Sequence, residues 1–467
     1  MAAPPSPRSR RSPALRAKVA VARCAGAGSR ALGRGGTSLP GKLLLRLDRG
    51  AVGALASELP AGTAALSATN GKTTTAALTA AILEQAGHRL VHNRTGANMA
   101  GGLAGVLMDR SADADLGLLE IDEFWLDGLV DELEPRVVLL GNLFRDQLDR
   151  YGELETIAAR WQAMVDAHPA TMFVLNADDP MVADLGRDRR VGENVLYFGI
   201  EDGSVGRAGL AHAADAKHCR RCGAPYRYDV VLLAHLGHYH CDACGAARPA
   251  PQVAATTVRL DGLSGSQMTV TTPGGGFEAS IPIPGLYNVY NALAATALAH
   301  ALGATPEQAR AGLAGAAPAF GRAEPVTVGG HRLLLLLVKN PAGANEVVRT
   351  LASEPGEHHL LAVLNDQIAD GRDVSWIWDA DYELLAGHAG RVVCSGARAA
   401  EMALRLKYGG IPEDRLVVEP DLEHALDVLL SGAASCTGRL AAIPTYTAML
   451  ALREALVRRG AAEGSFG

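Results

Sequence analysis

Ser67-Ala68-Thr69-Asn70-Gly71-Lys72-Thr73-Thr74-Thr75 follows an apolar stretch at residues 62–66 and leads into Ala76-Ala-Leu-Thr-Ala-Ala-Ile-Leu83. A short strand, a Gly-Lys-Thr turn and a helix in that order form a phosphate cradle: loop N–H groups face the anion, and the helix N-terminus adds the positive end of its dipole. The segment therefore predicts a nucleoside triphosphate held by Thr69, Asn70, Gly71, Lys72, Thr73 and Thr74, with Lys72 on the terminal phosphate and Thr73 on a magnesium ion. The loop is shorter than the usual phosphate loop of about eight residues, and Ala68 stands where a glycine often sits. A Gly-Lys-Thr that merely caps a helix is the plainer alternative.

The chain of 467 residues has room for roughly three domains, and 48% apolar residues suffice for full cores. A net charge of -6 argues against a general nucleic-acid binder. Lysine is scarce, six against 38 arginines, yet Lys72 and Lys339 both fall inside motifs. Residues 1–40 read as a basic arm in which residues 14–34 can form a surface helix, either solvated or resting on a membrane surface. Arg10 and Arg11 suggest an export signal, but Arg16, Lys18 and Arg23 interrupt any apolar region behind them, so a cytoplasmic location is expected.

Beyond the loop, His92-Asn-Arg-Thr-Gly-Ala-Asn-Met99 is a glycine-containing stretch suited to substrate contact. Leu116-Gly-Leu-Leu-Glu-Ile-Asp-Glu123 reads as a buried strand ending in carboxylates, where a hard cation finds oxygen ligands; Glu120 and Asp122 are the magnesium candidates. Arg136-Val-Val-Leu-Leu-Gly-Asn142 and Met172-Phe-Val-Leu-Asn-Ala-Asp-Asp-Pro180 are further strands, so residues 62–200 predict a doubly wound α/β sheet.

Cys219-Arg-Arg-Cys222 and Cys241-Asp-Ala-Cys244, 18 residues apart, have the spacing of a four-thiolate zinc ribbon. Four sulfur ligands leave no open position, so the zinc is read as structural, with a disulfide pair as the alternative. Strand-like segments at 266–272 and 277–283 resume after the ribbon, and Gly285-Leu-Tyr-Asn-Val-Tyr-Asn291 opens a long helix with Asn288 and Asn291 on one side. Apolar runs at 333–338, 360–364, 391–394 and 440–443 indicate a second, Rossmann-like α/β domain.

Thr69-Asn-Gly-Lys-Thr-Thr, Glu120-Ile-Asp-Glu, Asn142 with Asp146 and Asp149, and Asn176-Ala-Asp-Asp-Pro together resemble the central ATPase domain of Mur ligases. That resemblance implies activation of a carboxylate as an acyl phosphate and attack by an amine. It also places Asn288, Asn291 and Arg322 at the nucleotide, and it aligns Lys339-Asn-Pro-Ala-Gly343 with the family's His-Asn-Pro element. Gln147 stands where many members have histidine, and no lysine between Lys72 and Lys217 can supply the carbamylated lysine of several members.

Leu364-Asn-Asp-Gln-Ile-Ala-Asp-Gly-Arg-Asp-Val-Ser-Trp-Ile-Trp-Asp-Ala-Asp381, with the four-cysteine ribbon, resembles the branch that forms the ligase subunit of lipid II isoglutaminyl synthases. In that branch the last domain docks a GatD-type class I glutaminase, and an aspartate completes the partner's Cys-His pair. The motif carries this role to Asp373, with Asp370 and Asp379 as further claimants. An Asp373 that only caps the helix holding Trp376 and Trp378 is the structural alternative.

The resemblance thus implies an ATP-, magnesium- and zinc-containing heterodimer subunit that amidates the α-carboxylate of D-glutamate in lipid II to D-isoglutamine at the inner membrane face, with catalytic Lys72, Glu120 and Asp373. The expected division is an arm at 1–40, an ATPase domain at 41–322 with the ribbon at 215–250, and a C-terminal domain at 323–467. Two other readings stand beside it: a partner-independent ligase that adds an amino acid directly, and a zinc-ribbon binding module with a vestigial nucleotide fold.

Overall fold

The computed structural model describes residues 12–31, 39–93, 97–145, 154–207, 209–210, 214–315 and 322–462. Its first sheet contains β1 (Thr63–Ser67), β2 (Leu90–His92), β3 (Leu116–Glu120), β4 (Val137–Leu140), β5 (Met172–Asn176) and β6 (Val195–Ile200). A separate hairpin, β7 (Arg227–Leu233) and β8 (Leu236–His240), interrupts it before β9 (Val253–Leu260), β10 (Ser266–Thr272) and β11 (Gly275–Ile281) complete it. The order is β11-β10-β9-β6-β5-β4-β1-β3-β2, parallel from β9 to β2 and antiparallel at the β9–β10–β11 end.

Alternation along the strands sends successive side chains to opposite faces. Ala64, Leu66, Leu118 and Leu139 pack toward the helices Lys72–Gln85 and Leu286–Ala301, whereas Ala65, Leu119, Val138 and Leu140 pack toward Ala100–Met108, Leu126–Leu133 and Leu154–Ala167. Both faces are therefore covered, which is why these strands read as continuous apolar runs. The helix Pro13–Ala31 adds to this core: Leu15, Val19 and Ala22 are buried, while Lys18 and Arg23 pair with Asp48 and Asp109 at the surface. A good part of what reads in sequence as a basic arm is thus packed structure.

The second sheet is β12 (Arg322–Val328), β13 (His331–Leu336), β14 (His358–Val363), β15 (Ala389–Ser395), β16 (Leu416–Val418) and β17 (Leu440–Pro444), ordered β12-β13-β17-β14-β15-β16. Only β12 is antiparallel to its neighbour, and helices flank the sheet in Rossmann-like fashion. The chain is an α/β protein with two sheets and an inserted four-cysteine hairpin.

Candidate active site

The phosphate loop leaves β1 at the centre of the first sheet, between the ends of β3 and β4. The register sets Leu66 opposite Glu120 and Ser67 opposite Leu140, so the loop, the Glu120 carboxylate and Asn142 emerge side by side where strand order reverses. Asn142 holds the loop by both ends of its amide: Oδ1 accepts the Asn70 N–H at 2.9 Å and Nδ2 donates to the Asn70 carbonyl at 3.0 Å. Gly71 has φ +86°, a conformation that strains other residues, and a Cβ there would sit 2.0 Å from Asn291 Oδ1.

Lys72 is buried, its Nζ 2.7 Å from Glu123 Oε2 and 2.6 Å from the Ala68 carbonyl. Burial works against its charge, but Glu123, then Glu120 and Asp122, outweigh that, and its pKa is raised above the ordinary lysine value. Glu120 is fixed through its backbone by Asn93, which accepts from the Glu120 N–H at 2.9 Å and donates to the carbonyl at 2.7 Å. Its Oε1 lies 3.4 Å from Thr73 Oγ1, and its Oε2 is buried with no hydrogen-bond partner among the described residues. An unpartnered buried carboxylate oxygen beside a hydroxyl fits a hard cation such as magnesium. Asp122, the other candidate, accepts the Phe124 N–H at 3.1 Å and so shapes the turn after β3.

A cleft of about 800 Å³ runs from the loop to the second sheet. Asn70, Asn142, Asn291 and Lys339 line its polar end; Leu233, Leu236, Tyr287, Leu336, Leu337 and Val347 line its apolar end. The two domains clasp across it, with Lys339 Nζ donating to the Thr69 carbonyl at 3.0 Å and Asn340 Nδ2 donating to Asn70 Oδ1 at 2.9 Å. Glu346, buried at the same wall, has its pKa raised by burial against the opposing pull of Arg349 and Arg207.

Asn291 donates to Asn288 Oδ1 at 2.9 Å and accepts from Thr75 Oγ1 at 3.3 Å, facing Gly71. Asn288 is fully buried behind it, bonded to the Pro284 carbonyl at 2.7 Å, and does not line the cleft; it positions Asn291. Arg322 begins β12, but its side chain lies outside the described residues, as do Asp146, Gln147 and Asp149. Lys339 and Glu123, which the sequence shows only as parts of the Lys339-Asn-Pro and Glu120-Ile-Asp-Glu motifs without a role, join the site, and so does Phe144, which no motif marks.

The four cysteines come together at the base of the β7–β8 hairpin, all sulfurs within 4.8 Å of one another. The Cys219–Cys244 and Cys222–Cys241 Sγ pairs are 3.6 and 3.5 Å apart, near the roughly 3.8 Å edge of a zinc–thiolate tetrahedron. The two knuckles repeat one another: Gly223 donates to the Cys219 carbonyl at 2.8 Å and Gly245 to the Cys241 carbonyl at 2.9 Å. The donor set fits zinc and offers it no open position.

The three aspartates of the C-terminal segment occupy different settings. Asp370 is buried and accepts the Thr447 N–H at 2.8 Å. Asp379 reaches back across the domain boundary to Arg145, 3.4 Å away. Asp373 is exposed in the β14–β15 connection, outside the cleft, and accepts the Ser375 N–H at 2.8 Å, the hydrogen bonding that lowers its pKa. That bond forms a turn just ahead of the short helix Ser375–Asp379, whose N-cap is Val374, and leaves Asp373 exposed.

Residues 67–222 match the Mur ligase middle domain family and residues 337–449 the MurT ligase C-terminal family. The chain is 34% identical to the Streptococcus pneumoniae lipid II isoglutaminyl synthase (glutamine-hydrolyzing) subunit MurT over 92% of its own length and 94% of that protein. It is 30% identical to the Staphylococcus aureus protein of the same name, over 94% and 97% of the two chains. Among solved structures it resembles a pseudomurein peptide ligase type C from Methanothermus fervidus, with a TM-score of 0.68 at 21% identity, covering 86% of this chain and 80% of that one.

Proposed function

Because the chain belongs to the MurT family, the ligase subunits of glutamine-hydrolysing lipid II isoglutaminyl synthases, we propose that it amidates the α-carboxylate of D-glutamate in the lipid II stem peptide to D-isoglutamine. The observation that carries this reading is the buried Lys72 on Glu123 beside a phosphate loop that lines the two-domain cleft, with the unpartnered Glu120 oxygen next to Thr73 of the same loop. This is the charge arrangement that phosphoryl transfer requires, since that reaction depends on positioning and charge stabilisation.

ATP lies with its phosphates on the loop and its base toward the apolar end. Lys72 exchanges Glu123 for the terminal phosphate, and the loop N–H groups of Gly71 and its neighbours hold the rest. Thr73 and Glu120 would hold a magnesium ion, which would supply neutralisation of phosphate charge. The substrate carboxylate attacks the γ-phosphorus, the bond to the β-phosphate oxygen breaks, and an acyl phosphate forms with release of ADP. Ammonia then attacks the acyl carbon, phosphate leaves, and the new nitrogen loses a proton. Asn142, Asn291 and Arg322 serve nucleotide placement, with Asn288 behind Asn291, and the ribbon cysteines would hold a structural zinc.

Ammonia comes from a GatD-type class I glutaminase docked on the C-terminal domain at 323–467, where Asp373 orients the partner's histidine. The exposure of Asp373 supports it over Asp370, which is spent on Thr447, and Asp379, which faces Arg145. No described helix is long and apolar enough to cross a membrane; the lipid-linked substrate brings the complex to the inner membrane face. The test is reconstitution with the partner glutaminase, ATP, glutamine and lipid II, with the product read by mass spectrometry. Amidation that requires both subunits is expected; coupling of a free amino acid without the partner would replace this reading with the direct-ligase one.

A further inference from the structure

The tip of the β7–β8 hairpin is buried, although loop tips of inserted modules ordinarily lie at the surface. Leu233 is 4%, His235 0% and Leu236 2% exposed, and Ala234 makes the turn with φ +49°. Both leucines line the apolar end of the cleft, at the end of the hairpin away from the four cysteines.

Three connections tie this tip to the reaction machinery. The His235 ring packs on Phe144 with centroids 4.8 Å apart, and the Phe144 N–H donates to Thr69 Oγ1 of the phosphate loop at 3.0 Å. Gly237 donates to the Asp178 carbonyl at 2.9 Å, and the Asp178 carboxylate accepts from Tyr290, a cleft residue, at 2.7 Å. From the C-terminal domain, Arg349 Nη1 reaches the Leu232 carbonyl at 3.5 Å. A module that served only to brace the fold would have no need to end inside the cleft and touch both domains there.

We infer that residues 233–236 form the base-side wall of the nucleotide site, with Leu236 a positioning residue that contacts the purine and the cysteine cluster anchoring the hairpin from its other end. This rests on the nucleotide reading of the cleft. Phosphates bind at the polar end without the tip, whereas the flat apolar base needs it.

The test uses the full chain in complex with its partner and compares Mg·ADP with magnesium triphosphate, which lacks the base. Leu236→Ala should weaken Mg·ADP about tenfold, the scale expected when a pocket wall is cut back from an apolar group, while triphosphate affinity stays unchanged. Leu236→Met should restore ADP affinity. Equal ADP affinity in Leu236→Ala and wild type would overturn the inference. Hydrogen exchange on the wild-type complex needs no variant: Mg·ADP should protect residues 232–237 and triphosphate should not. Equal exchange with the two ligands would overturn it as well. If wild type binds triphosphate but not ADP, the inference falls; if it binds neither, the nucleotide reading falls with it.

Discussion

The phosphate loop and the Asp373 segment are built in opposite ways. Around Lys72 nearly every polar group is buried and held: Asn142 grips the loop backbone, Asn93 fixes Glu120, and Glu123 neutralises the lysine. Asp373 stands on an irregular connection, exposed, accepting the Ser375 N–H in the turn that precedes the short helix. None of the described cysteines outside the four-cysteine cluster offers it a nucleophile: Cys24 is on the N-terminal helix, Cys394 is buried in β15 with its thiol pKa pushed up to about 12 by burial, and Cys436 is in another connection. A preorganised site can act by itself, whereas an exposed acid takes a catalytic role only if another chain brings the other groups. On the proposed reading the difference divides the reaction: ATP chemistry within this chain, ammonia production shared.

That division can be broken at several points. Lys72→Ala should lower amidation about a thousandfold, as loss of a preorganised charge at a transferring phosphoryl group does, whether nitrogen comes from glutamine or from added ammonia. A variant that recovered with ammonia would place Lys72 on the wrong side of the division. Gly71→Ala forces a Cβ into left-handed backbone and against Asn291; the backbone term alone, about 1–2 kcal/mol, predicts ATP binding weaker by roughly fivefold to thirtyfold by calorimetry, and lower turnover with either nitrogen source. Unchanged affinity would mean the loop relaxes freely and is not preorganised. Asp379→Asn removes a partly exposed pair with Arg145, so thermal unfolding should change by less than about 1 kcal/mol, and the ratio of glutamine- to ammonia-supported turnover should stay at the wild-type value. A selective loss with glutamine would move the partner-facing role from Asp373 to Asp379.

Much of this was legible in the sequence wherever ligands are close neighbours along the chain. The loop at 67–75 and the Cys-x-x-Cys pairs declare themselves because short-range geometry fixes both, and the runs at 116–120 and 137–140 read as buried strands because both sheet faces are covered. What stayed hidden depends on long-range packing. Nothing local marks Leu233 and Leu236 as cleft residues, since a hairpin tip is expected in solvent. Asn288 looks like a ligand by its spacing, yet its amide is consumed by Pro284 and Asn291. The helix Pro13–Ala31 looks like a basic arm because its large apolar side chains are few among alanines and basic residues; Leu15, Val19 and Ala22 nonetheless find a core.

The most direct measurement is glutamate release by the partner glutaminase, without lipid II, in the presence of wild type, Lys72→Ala or Asp373→Asn. If the two sites are divided as described, Lys72→Ala supports hydrolysis like wild type, while Asp373→Asn lowers it by about a hundredfold or more, the scale of losing a group that orients a catalytic histidine. With ammonia supplied, the order reverses: Asp373→Asn amidates lipid II and Lys72→Ala does not. Glutamine hydrolysis that is unaffected by Asp373→Asn would contradict a shared glutaminase site.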